Sequence, residues 1–224
     1  MTRQWTRKRQ PVDWRQLRSL SPVSSSFGLD RGTPVDRYYI EKFLGENRWS
    51  IRGTVLEIAE STYSRRFGQE VVRYEVLHTT EGRQVTIQGD LTNPDSLPQG
   101  LVDCFICTQT FNFIYDFRSA IRGACHLLKP GGVLLATVAG ISQISRYDMD
   151  RWGDYWRFTT RSARKVFSEV FGEENVHVKA YGNVLAATAF LQGISCEELT
   201  PRELDYEDED YQLLITVVAQ KKQA

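Results

Sequence analysis

No run in this chain approaches the roughly 20 apolar residues that a membrane-spanning helix needs. No apolar signal core follows the basic start either, because Trp5 and Trp14 stand among charged and polar residues. The expectation is a soluble, cytoplasmic protein. Net charge is missing too: 28 Lys and Arg balance 28 Asp and Glu. A whole-molecule basic field for gathering nucleic acid is thereby disfavoured. Charge is segregated only locally. Arg3, Arg7, Lys8, Arg9, Arg15 and Arg18 make the start basic, while Glu203–Asp210 is acidic, and both read as solvated surface.

Cysteine is scarce, with four residues at 104, 107, 125 and 196. Cys104 and Cys107 have the spacing of a redox motif or half a zinc site, but no second such pair exists. They lie in the apolar run Val102-Asp103-Cys104-Phe105-Ile106-Cys107, which reads as a buried strand. Alternation along a strand sends positions 104 and 107 to opposite faces, so they read as reduced core cysteines and no metal is expected. Internal repeats and low-complexity tracts are absent.

What is present is a regular alternation of short apolar runs and helical patterns. The strand candidates are 54–59, 71–77, 84–89, 102–108, 132–138, 176–181 and 212–220. A helical face runs from Ile114 through Phe117, Ile121 and Cys125 to Leu128, and further helices are expected over 161–170 and 184–193. Ile40, Phe43 and Leu44 share another face, with Gly45 as the expected stop. A short helix is also expected over Asp13–Leu20, followed by a serine-rich linker. This pattern predicts an α/β fold with a mostly parallel sheet and helices on both faces. Residues 1–50 form an N-terminal arm and helix, and residues 51–224 the sheet domain.

Open α/β sheets bind ligands beyond the carboxyl ends of their strands, where strand order reverses. Glu57, Glu75 and Asp90 are acids at or near three predicted strand ends. The stretches Val55-Leu56-Glu57-Ile58, Glu75, Gly89-Asp90-Leu91, Val102–Ile106 and Leu127-Leu128-Lys129-Pro130-Gly131-Gly132-Val133 resemble class I S-adenosylmethionine-dependent methyltransferases of the type 11 group. The likeness spans about residues 53–139 and implies a Rossmann-like sheet, mostly parallel with an antiparallel last strand, with S-adenosylmethionine as cofactor. It also implies roles for the matching residues. Glu57, Ala59 and Ser61 would sit at the cofactor loop, Glu75 at the ribose, and Asp90 and Leu91 beside the adenine. Thr108 and Gln109 would line the methyl-transfer side. One departure stands out: where the family has a Gly-x-Gly-x-Gly loop, this chain reads Ala59-Glu60-Ser61-Thr62-Tyr63.

Two further segments, residues 27–41 and 144–158, resemble bacterial methyltransferase-like domains found beside or fused to glycosyltransferases. That resemblance implies a carbohydrate or related small-molecule acceptor and a glycosyltransferase partner. The second segment follows the fifth strand and should overhang the ligand crevice. There Tyr147, Trp152, Tyr155, Trp156 and Arg157 are the expected acceptor wall, since aromatic faces and charged groups suit sugars. Arg31, Asp36, Arg37 and Tyr38 should fold over the same crevice, with Arg37 gripping the cofactor carboxylate. A hydroxyl acceptor needs a general base, for which Asp148, Asp150 and Asp154 are the candidates, ahead of His78, His126 and His177. Two readings stay open: an O-methyltransferase of sugars or related molecules, and a non-catalytic scaffold domain. Nucleic-acid methylation ranks last, because the chain has no Asn/Asp-Pro-Pro-Tyr/Phe tetrapeptide. A nicotinamide dehydrogenase would need a glycine fingerprint that is absent here.

Overall fold

Every apolar run bounded by turn residues becomes a strand in the computed structural model, which describes residues 18–223. The strands are β1 (Gly53–Ile58), β2 (Val71–His78), β3 (Ile87–Gln88), β4 (Val102–Thr108), β5 (Leu128–Ala139), β6 (Val176–Tyr181) and β7 (Leu214–Gln220). They form one sheet in the order β3-β2-β1-β4-β5-β7-β6. All neighbours pair in parallel except β7, which runs antiparallel to both β5 and β6. Strand order reverses between β1 and β4, which opens a crevice at their carboxyl ends.

Both faces of the central strands are buried, as their unbroken apolar sequence requires. Phe105 and Cys107 of β4 face one core with Ile121 and Phe167, under α3 (Phe117–Leu127) and α5 (Thr160–Phe171). Cys104 and Ile106 face the other with Tyr39, Leu44 and Phe190, under α1 (Val35–Glu46) and α6 (Val184–Gln192). The two cysteines thus lie on opposite faces and both are free. Among the described residues no helix is long and apolar enough to cross a membrane, and no cluster of ligand side chains could hold a metal ion.

Several boundaries differ from expectation. Gly45 does not stop α1, which continues to Glu46 before the Asn47 N–H closes on the Phe43 and Leu44 carbonyls. Ile114 lies outside α3, because the Asp116 carboxylate caps that helix through the Ser119 N–H. β3 keeps only Ile87 and Gln88 of the expected run. Three short helices were not expected: α2 (Thr62–Phe67), α4 (Arg146–Met149) and α7 (Pro201–Asp205). The helix expected over Asp13–Leu20 falls largely outside the described residues.

Lys129-Pro130-Gly131-Gly132 lies at the amino end of β5, opposite the crevice, and is a structural feature. Val102 pairs with Leu128 while Cys104 pairs with Val133, so this segment bulges out of register. Gly131 takes a φ of 78° there, and Lys129 Nζ bonds Asp103 at 2.8 Å.

The helix layer also fixes the edge of the crevice. A Cβ on Gly123 of α3 would stand 2.0 Å from the Leu91 carbonyl oxygen, in the turn after β3. Gly123→Ala is therefore expected to destabilise the fold by about 1–3 kcal/mol in urea denaturation, through overpacking against a backbone that cannot yield locally. An unchanged denaturation midpoint would show that the turn after β3 is free to move.

Candidate active site

A cleft of about 1360 Å³ opens at the carboxyl ends of β1 to β5. At the end of β1, Glu57 is 4% exposed. Its Oε2 accepts the Tyr63 N–H at 3.0 Å, and its Oε1 accepts the Ser64 N–H at 2.7 Å together with the Ser64 hydroxyl. Burial pushes the Glu57 carboxyl above its ordinary range, and these hydrogen bonds only partly offset it. Glu57 thereby caps α2 and fixes the loop between them. Within that loop Ala59 adopts a φ of 66°, and the Glu60 N–H donates back to the Ile58 carbonyl at 2.8 Å. The backbone takes a turn that glycine would enter freely, with a side chain in place. Gln109 repeats this after β4, with a φ of 49° and its N–H on the Thr137 carbonyl at 2.9 Å.

Arg37 reaches the same end from α1. Its Nη1 donates to the Tyr63 hydroxyl at 2.5 Å, and Asp36 and Glu60 line the cleft beside it. Removal from water raises the Asp36 carboxyl above its usual range. A guanidinium with two carboxylates suits the carboxylate and ammonium of an amino-acid end group. Across the cleft, Asp90 Oδ1 accepts the N–H and hydroxyl of Thr92 at 2.8 and 2.9 Å. Its Oδ2 and the N–H of Leu91 have no partner among the described residues. One acceptor beside one donor is the complement of the adenine amino edge. Thr108 lines the cleft with Gln109.

Two expected cofactor contacts are corrected. Glu75 does not reach the cleft, because β2 continues past it and it is Leu77, His78 and the following Thr79 that line the cavity. Glu75 is 1% exposed, with the Arg73 guanidinium against it as an ion pair, although no N–H is aimed well enough to give either oxygen a hydrogen bond. Ser61 also stays out of the cleft; its hydroxyl accepts Arg65 Nε at 3.0 Å, and its carbonyl accepts the Arg65 N–H at 3.2 Å at the start of α2.

Within the expected overhang, residues 144–158, the stretch from Ser145 to Arg157 lines the cleft. Tyr147, Trp152 and Tyr155 line it while remaining 64%, 46% and 48% exposed, and Trp152 meets the His78 ring edge-on at 5.8 Å. Trp156 is no part of this wall: its indole N–H donates to the Tyr115 carbonyl at 3.1 Å and its ring packs on Phe117. The three candidate bases separate cleanly. Asp150 lies outside the cleft, 3.8 Å from Arg146. Asp154 lines it, yet its side chain is 1% exposed and held by Arg157 Nη2 and the Ser145 N–H, both at 2.9 Å. Burial alone would raise that carboxyl, but Arg157 and Ser145 outweigh it and hold the group below the ordinary carboxylate range. It is an anchor. Asp148 faces the cleft with Oδ2 on the Ser145 hydroxyl at 2.5 Å, leaving Oδ1 without a partner among the described residues.

The N-terminal arm closes the other side. Ser25, Ser26, Phe27 and Leu29 line the cleft, and Gln143 Nε2 from the overhang bonds the Ser25 carbonyl at 3.2 Å. Arg31 and Tyr38 do not enter it; they tie down to Glu198 and Asp205. His126 and His177 lie off the cleft as well. Sequence reasoning missed Tyr63 and Asn112 among the lining residues. Nothing marks Asn112 in the apolar run Phe111-Asn112-Phe113-Ile114.

Residues 53–136, from β1 into β5, match the family model described as a methyltransferase domain. No curated protein matches the chain. Among solved structures, the [4+2]-cyclase SpnF is similar with a TM-score of 0.56 at 14% identity, over 87% of this chain and 84% of that one. A SAM-dependent methyltransferase from Archaeoglobus fulgidus has a TM-score of 0.52 at 12% identity, over 83% of this chain and 94% of that one. An S-adenosylmethionine-dependent methyltransferase from Mesorhizobium loti has a TM-score of 0.51 at 15% identity, over 87% of this chain and 100% of that one. At these identities the likeness is one of fold.

Two outcomes follow from the site's construction. Ala59→Gly should stabilise the protein by about 1 kcal/mol in chemical denaturation, since it relieves a left-handed side chain; a destabilised variant would mean that the methyl packs favourably. Asp154 has a lowered folded pKa, so its stabilisation is full above the unfolded value of about 3.9 and disappears as pH falls through the folded one. Melting curves of Asp154→Asn should accordingly differ from wild type at neutral pH and converge with it in acid.

Proposed function

We propose that this chain, whose residues 53–136 match a methyltransferase domain, is an S-adenosylmethionine-dependent enzyme that methylates a hydroxyl of a sugar, glycoconjugate or related small molecule. The observation that carries the acceptor class is the overhang, where Tyr147, Trp152 and Tyr155 remain half-exposed along the cleft beside Asp148. Aromatic faces cover the C–H faces of sugar rings, while carboxylates and amides take their hydroxyls.

The residues present fit the cofactor. Arg37, Asp36 and Glu60 match its amino-acid end, Asp90 and Leu91 its adenine, and the turn at Ala59 keeps the conformation that lets backbone approach a ligand. When bound, the cofactor supplies a methyl group on a sulfonium sulfur, an electrophile that needs no further activation. The protein's own share is alignment, exclusion of water and proton removal. The arm at Ser25–Leu29 and the overhang, joined through Gln143, enclose the cleft. Asp148 Oδ1 takes the acceptor hydroxyl proton, while Ser145 holds the other oxygen and so fixes the carboxylate's orientation.

The rival reading, a non-catalytic scaffold, draws its support from the side chains on Ala59–Tyr63. The resemblance of residues 27–41 and 144–158 supports a glycosyltransferase as partner in either case. Calorimetry with S-adenosylmethionine and labelled-methyl transfer to a panel of glycosides test the enzyme reading; no heat of binding at millimolar cofactor would hand the case to the scaffold. Asp148→Asn should lower kcat by about 10²–10⁴-fold while leaving cofactor affinity unchanged. Full activity in that variant would remove Asp148 from the mechanism.

A further inference from the structure

Three of the described residues hold buried side-chain oxygens with no hydrogen-bond partner: Glu75, Asn112 and Ser168. Glu75 lies off the cleft with Arg73 against it, and Ser168 sits half-buried on α5, also away from the cleft. Asn112 is different. It lines the cleft, is 2% exposed, and its Oδ1 accepts nothing.

The backbone around it explains why the side chain is left over. Asn112 lies in the tight turn Phe111–Phe113 just past β4. Its carbonyl accepts the N–H of Tyr155 at 3.0 Å and of Trp156 at 3.2 Å, which ties the overhang down at the root of its aromatic rim. The main chain is thus committed to structure, while the carboxamide has no structural partner for its oxygen. Buried polar groups in folded proteins almost always find one. An oxygen kept dry and unpaired is a standing cost to the fold, and it is met when a ligand brings an O–H or N–H to it.

We propose that Asn112 is the specificity-determining residue of the acceptor site, its carboxamide oxygen taking a hydrogen bond from an acceptor hydroxyl other than the one methylated. The inference rests on the methyltransferase reading above and adds to it a requirement for a second hydroxyl on the acceptor. The groups that suit the cofactor cluster at Arg37, Glu60, Asp90 and Leu91, whereas Asn112 is bonded to the overhang. A site built to receive a hydroxyl rejects the analogue that lacks it, because the protein's own group then stays unpaired.

The test uses the full chain, labelled-methyl transfer to methyl glycosides and their single-deoxy counterparts, and calorimetry with S-adenosylmethionine. Asn112→Leu should lower kcat/KM for the preferred glycoside by about 10–100-fold, leave cofactor Kd unchanged and abolish the preference over one deoxy counterpart. Its Tm should rise by about 2–4 °C, since an unmet oxygen gives way to an apolar group of similar size. Asn112→Asp, equal in shape and still an acceptor, should retain the deoxy preference. A lower Tm in Asn112→Leu, a weakened cofactor Kd, or loss of the preference in Asn112→Asp overturns the proposal. If the wild type binds cofactor but methylates no glycoside, the sugar reading fails instead. The Tm of Asn112→Leu then decides alone: a rise keeps Asn112 as a ligand-facing oxygen, and a fall ends the assignment.

Discussion

The carboxylate of Glu57 sits where β1 gives out, removed from water, and its stability there depends on the three donors that the start of α2 supplies. A buried carboxylate without partners would be costly, so the loop must fold back to satisfy it. That requirement forces the sharp turn at Ala59 and seats Tyr63 against the cleft, where its hydroxyl meets Arg37. Arg37 in turn brings α1, and with it the N-terminal arm, to the mouth of the cavity. A single desolvated acid thus organises the whole amino-acid end of the site.

The opposite wall has its own anchor of the same kind. Asp154, nearly inaccessible, binds Arg157 and the Ser145 N–H, closing residues 145–157 into a loop. Arg157 also donates to the Gln143 carbonyl at 2.7 Å, and the Gln143 side chain reaches the arm at Ser25. The aromatic residues project from this braced loop, so they stay exposed at the rim without collapsing into the core. Trp156 and Phe158 do the packing on their behalf, against Phe117.

Architecture was legible because it rests on periodicity. The burial of alternate strand residues on opposite faces, the placement of Cys104 and Cys107 and the parallel pairing follow from alternation and crossovers, whereas the antiparallel last strand was legible only through the family resemblance. The site was legible only where a residue's position along a strand fixes its reach. Asp90, Thr108 and Gln109 stand just at or beyond strand ends and do line the cleft. Glu75 failed although the expected strand, 71–77, already ran past it: the residues at the carboxyl end of β2, Leu77 and His78, are the ones that line the cleft. Asp150 and Asp154 failed as bases because their partners lie in side-chain geometry: one turns out to Arg146, the other is locked on Arg157. Asn112 left no trace in the sequence, since its distinction is an interaction that is missing.

Local rules are broken at several described positions; Glu70, Glu75 and Ser168 lie off the cleft, but three other breaks converge on it. Ala59 and Gln109 take left-handed backbones without being glycine, and Asn112 keeps a buried oxygen unpaired. All three lie on the cleft, at the ends of the two strands between which the sheet order reverses. Most of the remaining described structure obeys propensity, capping and burial. A fold selected for stability alone would place glycine at 59 and an apolar residue at 112, since either change removes a cost without touching the sheet. Departures of this kind persist where a ligand uses them. The loop that lacks the family's glycines therefore does not count against binding: its backbone already has the conformation those glycines would allow. The side chains on it, Glu60 and Tyr63, supply charge and contact that bare glycine could not.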